Sequence, residues 1–342
     1  MKYILKSAII ILMSLQLEKD PFINRHEILI SKNPTFFERN RENLRELFDL
    51  YDLPDAITIE EAVELTQPWA QGDHFTPKQQ VEINDEIYAK SRNLYEAMGL
   101  VQEKMPPAGV YDEIIVLGAL QRANNVRNKF TSELLLHSDV SLSENAQVSL
   151  WGGQRPLVQA KEAQFTRDQI ADLQHASHLP QRLKKIANID DISRLTEADL
   201  LLLSTHSLLG SLEQAENSIT TEKDSDSVSF ERYQSGDLTV ELMDATPVDR
   251  PQGKPRHTTE SCAEEWLEHR QPEYGSRVLF ISSNPYIQRT NRAFERVIAN
   301  NGRNDIEVIS AGPGAYLDAS NHVFLGEIAR NLYEDLLDKQ AN

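Results

Sequence analysis

Residues 277–314 read as strand, helix, strand. RVLFISSN (277–284) is a short apolar run ending in Ser282, Ser283 and Asn284. YIQRTNRAFERVIANNG (286–302) follows with helical spacing, and IEVISAGPG (306–314) is a second apolar run closing in glycines. Two β-branched runs joined by one amphipathic helix make a βαβ unit, and such a crossover sets its strands parallel. Parallel α/β sheets hold their ligands beyond the carboxyl ends of the strands. Those ends are where this chain places its Ser, Asn and Gly residues.

Three more segments extend the pattern. YDEIIVLGA (111–119) sets four apolar residues before Gly118, AQVSLWGGQRP (146–156) runs into Gly152 and Gly153, and LTVELMDATP (238–247) leads into a proline-rich loop. Helical stretches lie at 120–137, 258–271, 286–301 and about 322–338, with several more between 160 and 215. ENSITTEKDSDSVSFERYQSGD is polar and poor in apolar residues, so it reads as an exposed loop within an insertion at about 155–236. Before the break at KMPPAG, residues 20–108 read as helical and connecting sequence. Phe36, Phe37, Leu44, Leu47, Phe48 and Tyr51 recur at helical spacing, and Thr58 with Glu61 has the form of a capping box. Thr76 and Pro77 open a further helix that stops at Gly99. The predicted architecture is α/β: a Rossmann-like, mostly parallel sheet of about five strands with flanking helices over 109–342, plus a helical N-terminal region over 1–108.

A formal net charge of −18 disfavours non-specific binding to nucleic acid and to anionic lipid. A local arginine beside a helix N-terminus can still hold a small anion, because salt screens the distant field. The single cysteine, Cys262, excludes an internal disulfide framework and any CxxC motif, and its helical surroundings suit a small buried residue. KYILKSAIIILMSLQL places two lysines before an apolar run from Ala8 to Leu17. It reads as a buried or amphipathic first helix of a cytoplasmic protein, with an export or anchoring segment over 1–17 as the alternative.

The five strand ends read Leu117-Gly118-Ala119, Trp151-Gly152-Gly153-Gln154, Asp244-Ala245-Thr246, Ser282-Ser283-Asn284 and Ala311-Gly312-Pro313-Gly314. In a parallel sheet they emerge on one edge, where glycine admits close backbone approach and helix N-termini favour anions. The same tips also need small and polar residues simply to turn. The arrangement resembles the YdcF/SanA-like family, a Rossmann-like domain of largely unassigned function, over roughly 110–340. VLGALQRANNVR supplies the Leu117-Gly118 pair and a following arginine, Arg122 or Arg127. SLWGG supplies Gly152 and Gly153. HTTES keeps Thr258 and Glu260, and ISSNPYIQRTNRAF keeps Ser282, Ser283 and Arg289. Trp151 stands where the family has Ser, His257 and Ser261 stand at its two Asn positions, and Tyr286 stands at its His position. The resemblance implies a small-molecule ligand, S-adenosylmethionine or nucleotide-like, met by transferase or hydrolase chemistry. The replaced positions favour a rival reading: a non-catalytic interaction module that kept the fold, with a protein partner for its N-terminal helical region.

Glu260 is the candidate catalytic carboxylate, placed to orient or deprotonate a substrate. In the first turn of its helix it equally suits the macrodipole, and Thr258 suits an N-cap. Arg289 is a candidate clamp for phosphate or carboxylate, or else one half of a surface ion pair. The candidate ligand-binding set is Gly118, Arg122, Gly152, Gly153, Asp244, Thr258, Ser282, Ser283, Asn284 and Arg289. His257 with Asp244 and Asp249 suggests a metal or acid/base group, but a lone histidine in a Pro-rich loop reads as solvated, and no metal site is assigned. The chain lacks GxSxG, GxxxxGK[ST] and, after its first strand, GxGxxG; this counts against a serine hydrolase elbow, a P-loop and ordinary NAD binding. His175 and His178 read as surface helix residues.

Overall fold

The computed structural model describes residues 34–69, 85–154, 156, 162–176, 178–209, 212–214, 228–245, 257–316 and 319–341. The segment 1–17, the Thr76-Pro77 helix start, Thr246 and Asp249 lie outside the described residues.

The strands are β1 (Gly109–Leu117), β2 (Val140–Gly153), β3 (Glu213–Gln214), β4 (Ser229–Ser235), β5 (Leu238–Ala245), β6 (Arg277–Ile281) and β7 (Glu307–Ala311). They form one sheet in the order β3-β4-β5-β2-β1-β6-β7. The five strands β5-β2-β1-β6-β7 run parallel throughout. The chain starts at β1, winds outward through β2 and β5, then crosses back to β6 and β7. Winding direction therefore reverses between β1 and β6, the switch point where a crevice opens at the strand ends.

Near-continuous apolar runs fit strands covered on both faces. Ile114 and Val116 join Val148, Leu150, Leu279 and Ile281 under α5 (Gln121–His137), α6 (Ala163–Gln174), α7 (Gln181–Ala187) and α8 (Glu197–Leu209). Ile115 and Leu117 join Trp151, Met243 and Phe280 under α9 (Thr259–Arg270) and α10 (Ile287–Asn300).

The expected exposed loop at 216–237 is corrected in its second half. Ser229–Ser235 is a strand, paired antiparallel with β5, and β3 pairs antiparallel with it in turn. Phe230 and Tyr233 enter the cores on opposite faces of the sheet, and that burial outweighs the charged residues between them. Gly236-Asp237 makes the two-residue connection, with Gly236 at φ +56°.

The N-terminal helices are α1 (Phe36–Arg39), α2 (Arg41–Leu50), α3 (Ile59–Thr66) and α4 (Asp85–Ala97). Thr35 with Glu38 and Thr58 with Glu61 form capping boxes. Phe36, Leu47, Phe48 and Tyr95 pack with Phe324, Leu325, Ile328 and Leu332 of α11 (Asn321–Ala341), so this core is completed by the far end of the chain. No described helix is long and apolar enough to cross a membrane.

Candidate functional site

The tips of β1 and β6 are joined by Arg127, which α5 brings back over the switch point. Its Nη1 donates to Leu117 O at 2.7 Å and Gly118 O at 3.0 Å. Its Nε and Nη2 donate to Ser283 Oγ at 3.3 and 3.0 Å. Arg127 is 4% exposed, and no carboxylate of the described residues makes an ion pair with it. Burial pulls its pKa down, against the opposing pull of Tyr316, Glu197 and Tyr286. Arg122, five residues earlier, is exposed on the first turn of α5.

Unsatisfied polar atoms lie along the same edge. Asn124 Oδ1 accepts from Ala119 N at 2.8 Å, yet its Nδ2 is buried without a hydrogen-bond partner. Ser282 Oγ, just beyond β6, is buried and unpartnered as well. Native interiors seldom leave such groups unmatched away from a ligand or water.

The strand-end glycines face this chain's own α8 and the residue before α9's cap. A methyl at Gly118 would meet Trp151 O at 2.8 Å and Glu197 Cγ at 2.9 Å. At Gly152 it would meet Ala198 Cα at 2.5 Å, and at Gly153 the His257 Nδ1 at 1.8 Å. These glycines allow the N-terminus of α8 to seat on the tips of β1 and β2. There Glu197 Oε2 and His257 Nε2 pair at 2.9 Å, with side chains only 4% and 10% exposed. His257, read from sequence as a solvated loop histidine, is thus a nearly buried partner of Glu197. Sequence reasoning missed Glu197 entirely. Its local signal is a helix start, since Thr196 caps α8 by exchanging hydrogen bonds with Asp199, and nothing local points to the distant strand tips.

The other candidates divide between cap, tie and site. Thr258 caps α9: its Oγ1 accepts from Ser261 N at 3.1 Å, while Ser261 Oγ accepts from Thr258 N at 2.9 Å. Asn284 Nδ2 donates to Gly99 O at 3.2 Å and to Gln102 O. With the Lys104–Gly312 bridge and Ala315 N donating to Val101 O, this ties the segment after α4 over the tips of β6 and β7. Asp244 is bound by Arg182 at 2.8 Å, and Arg182 also holds Asp199 and Glu231, each at 2.7 Å. Burial raises the Asp244 pKa, although Arg182 opposes it.

Arg289 Nε donates to Glu327 Oε2 at 2.8 Å, and Glu327 is almost wholly buried. Burial disfavours the Arg289 charge, but Glu327 outweighs it, with smaller help from Glu334 and from Glu260. Glu260 is half-buried in the first turn of α9, within electrostatic reach of Arg289 and Arg296. Tyr286 stands among Arg127, Arg289 and Arg330; its pKa is raised by burial and by Glu327, while the three guanidiniums pull the other way. Arg127 bonds Ser283 and acts on Tyr286, which also feels Arg289, and Arg289 in turn feels Glu260. Among the described residues no group of three or more His, Cys, Asp or Glu side chains could hold a metal.

No family model matches this chain, and neither a curated protein nor a solved structure does.

Proposed function

We propose that this chain binds a small molecule through an anionic group at the carboxyl edge of its sheet, in the manner the YdcF/SanA-like resemblance implies. Arg127 carries the proposal. A buried guanidinium without a counter-carboxylate is costly, and a bound phosphate or carboxylate at the switch point would offset that cost. Arg289 and Tyr286 flank the same place, while Ser282 Oγ and Asn124 Nδ2 have hydrogen-bonding capacity left for a ligand. A nucleotide-like or S-adenosylmethionine-like molecule meets these demands. In the enzyme form of the reading, Glu260 orients or deprotonates the substrate, and the chemistry is transfer or hydrolysis.

A second reading, a non-catalytic interaction module, draws on the glycines. Gly118, Gly152 and Gly153 are occupied by this chain's own Glu197, Ala198 and His257, which narrows the space left for a ligand. A thermal-shift screen over nucleotides, phospho-sugars and S-adenosylmethionine separates the two. A true ligand at about 100 times its Kd stabilises the protein by about 2.7 kcal/mol. Arg127→Gln, which removes charged hydrogen bonds of about 1.5–3 kcal/mol, should weaken it roughly ten- to a hundredfold. A screen with no shifts, or equal shifts in wild type, Arg127→Gln and Glu260→Gln, would end the ligand-binding reading and leave the interaction module.

A further inference from the structure

We propose that Asn124 and Gln121 form a reading edge beside the anion site, a buried donor next to a buried acceptor that takes the amide or amidine edge of a nucleobase. The inference rests on the anion site proposed above and adds the part of the ligand that lies beyond its anionic group. One peptide links the two places. Arg127 Nη1 donates to Gly118 O at 3.0 Å, and Ala119 N of the same peptide donates to Asn124 Oδ1 at 2.8 Å. A trans peptide points its carbonyl and its N–H to opposite sides. The guanidinium and the Asn124 amide therefore stand up to about 8 Å apart, and a ligand meets them with different parts. An anionic group at one end and a donor–acceptor edge at the other is the makeup of a nucleoside monophosphate.

The two side chains are held in one orientation each. Ala119 N fixes Asn124 Oδ1 as the acceptor, which leaves Nδ2 as a donor, fully buried and without a hydrogen-bond partner. Gln121 is fixed from further away. Thr205 Oγ1 donates to Leu201 O at 2.9 Å, so it accepts from Asn128 Nδ2 at 3.0 Å. The second hydrogen of that amide goes to Ser204 Oγ at 3.1 Å, and Ser204 donates in turn to Asn125 Oδ1. Asn125 Oδ1 also accepts from Gln169 Nε2 at 3.1 Å, which turns Gln169 Oε1 toward Gln121 Nε2. Gln121 Oε1 is the atom left over, an acceptor, again fully buried and unmatched. Residues three apart share a helix face, so this donor and acceptor are neighbours at the start of α5. Native interiors rarely strand even one such atom. A base edge with one acceptor beside one donor satisfies both.

The test measures, by calorimetry on the full chain, the affinities of AMP, CMP, GMP, UMP and ribose 5-phosphate, which share the phosphate and differ in the base. At least one nucleotide should bind about ten- to a hundredfold tighter than ribose 5-phosphate, the worth of matching buried groups that otherwise stay unpaired. Asn124→Asp keeps the acceptor for Ala119 N and removes the donor, while Gln121→Met removes the acceptor. In each variant the affinity ratio of that nucleotide to ribose 5-phosphate should fall about tenfold. The ratio is the readout because the added Asp charge bears on both phosphates alike, and ribose 5-phosphate binding shows that the variants fold. Nucleotides that bind no tighter than ribose 5-phosphate, or a ratio that both variants keep, overturn the reading edge and spare the anion site. Failure of all five probes to bind, or equal binding by Arg127→Gln, overturns the anion site and the reading edge with it.

Discussion

Two arginines on α5, Arg122 and Arg127, are both candidates by type, four and nine residues beyond Gly118. Burial separates them: Arg127 turns under the strand tips, and Arg122 faces solvent. A different burial effect acts on Glu265 of α9. Desolvation, with Glu264 and Glu268 adding repulsion, pushes its carboxyl up to about 7, and its Oε2 has no hydrogen-bond partner. The folded state therefore holds the proton more tightly than the unfolded chain, whose reference value is 4.5. Stability contributed by that proton is complete below the unfolded value and falls away as pH rises through about 7. Glu265→Gln should raise the melting temperature at pH 8 and leave it nearly unchanged at pH 4.5. A variant melting no higher than wild type at pH 8 would show that Glu265 finds compensation in solution.

At the scale of elements, α8 and α9 decide what the strand edge can be. α9 spends Thr258 and Ser261 on its own cap, and Glu260 is the one acidic residue of its first turn. The N-terminus of α8 sits so close to β2 that the contact at Gly152 is backbone on Cα. Gly152→Ala would set a methyl 2.5 Å from Ala198 Cα and 2.8 Å from its nitrogen, where no rotamer change gives relief. We predict a loss of about 1–3 kcal/mol, the usual cost of overpacking, in urea unfolding. A loss under about 0.5 kcal/mol, small against that overpacking range, would mean that α8 lifts easily and that the roof over β1 and β2 is a loose one. The β4–β5 hairpin was legible in part. Gly236-Asp237 between apolar runs is a turn signal, but SFERYQS has only two large apolar residues, Phe230 and Tyr233, and their value depends on having a core on each face.

For the molecule as a whole, α11 joins the N-terminal helices to the α/β sheet. Arg292 of α10 binds Asp335 and Asp338, and Arg296 binds Glu334 and Asp338. Asp335 also accepts Phe36 N at 3.2 Å and Phe37 N at 2.6 Å, so one carboxylate caps α1 and pairs with α10. Burial raises its pKa, while Arg292 and those two amides oppose the rise. Asp335→Ala removes a buried partner from three groups at once and should cost about 3 kcal/mol in equilibrium unfolding, with α1 exchanging its amides first. Loss of less than about 1 kcal/mol, the worth of an exposed pair, would mean that the apolar contacts of Phe36 and Phe48 with α11 suffice alone.

The sequence by itself determined the α/β class, the five parallel strands, the shared edge of their tips and the helical character of the N-terminal region. These follow from local periodicity and from crossover geometry, which act over a few tens of residues. Only the tertiary structure decided that Arg127 is the buried arginine, that Arg289 is bound to Glu327, that Glu197 and His257 meet over the glycines, and that α11 completes the N-terminal core. Those outcomes depend on which distant side chains share one desolvated space, and no pattern along the chain encodes that proximity.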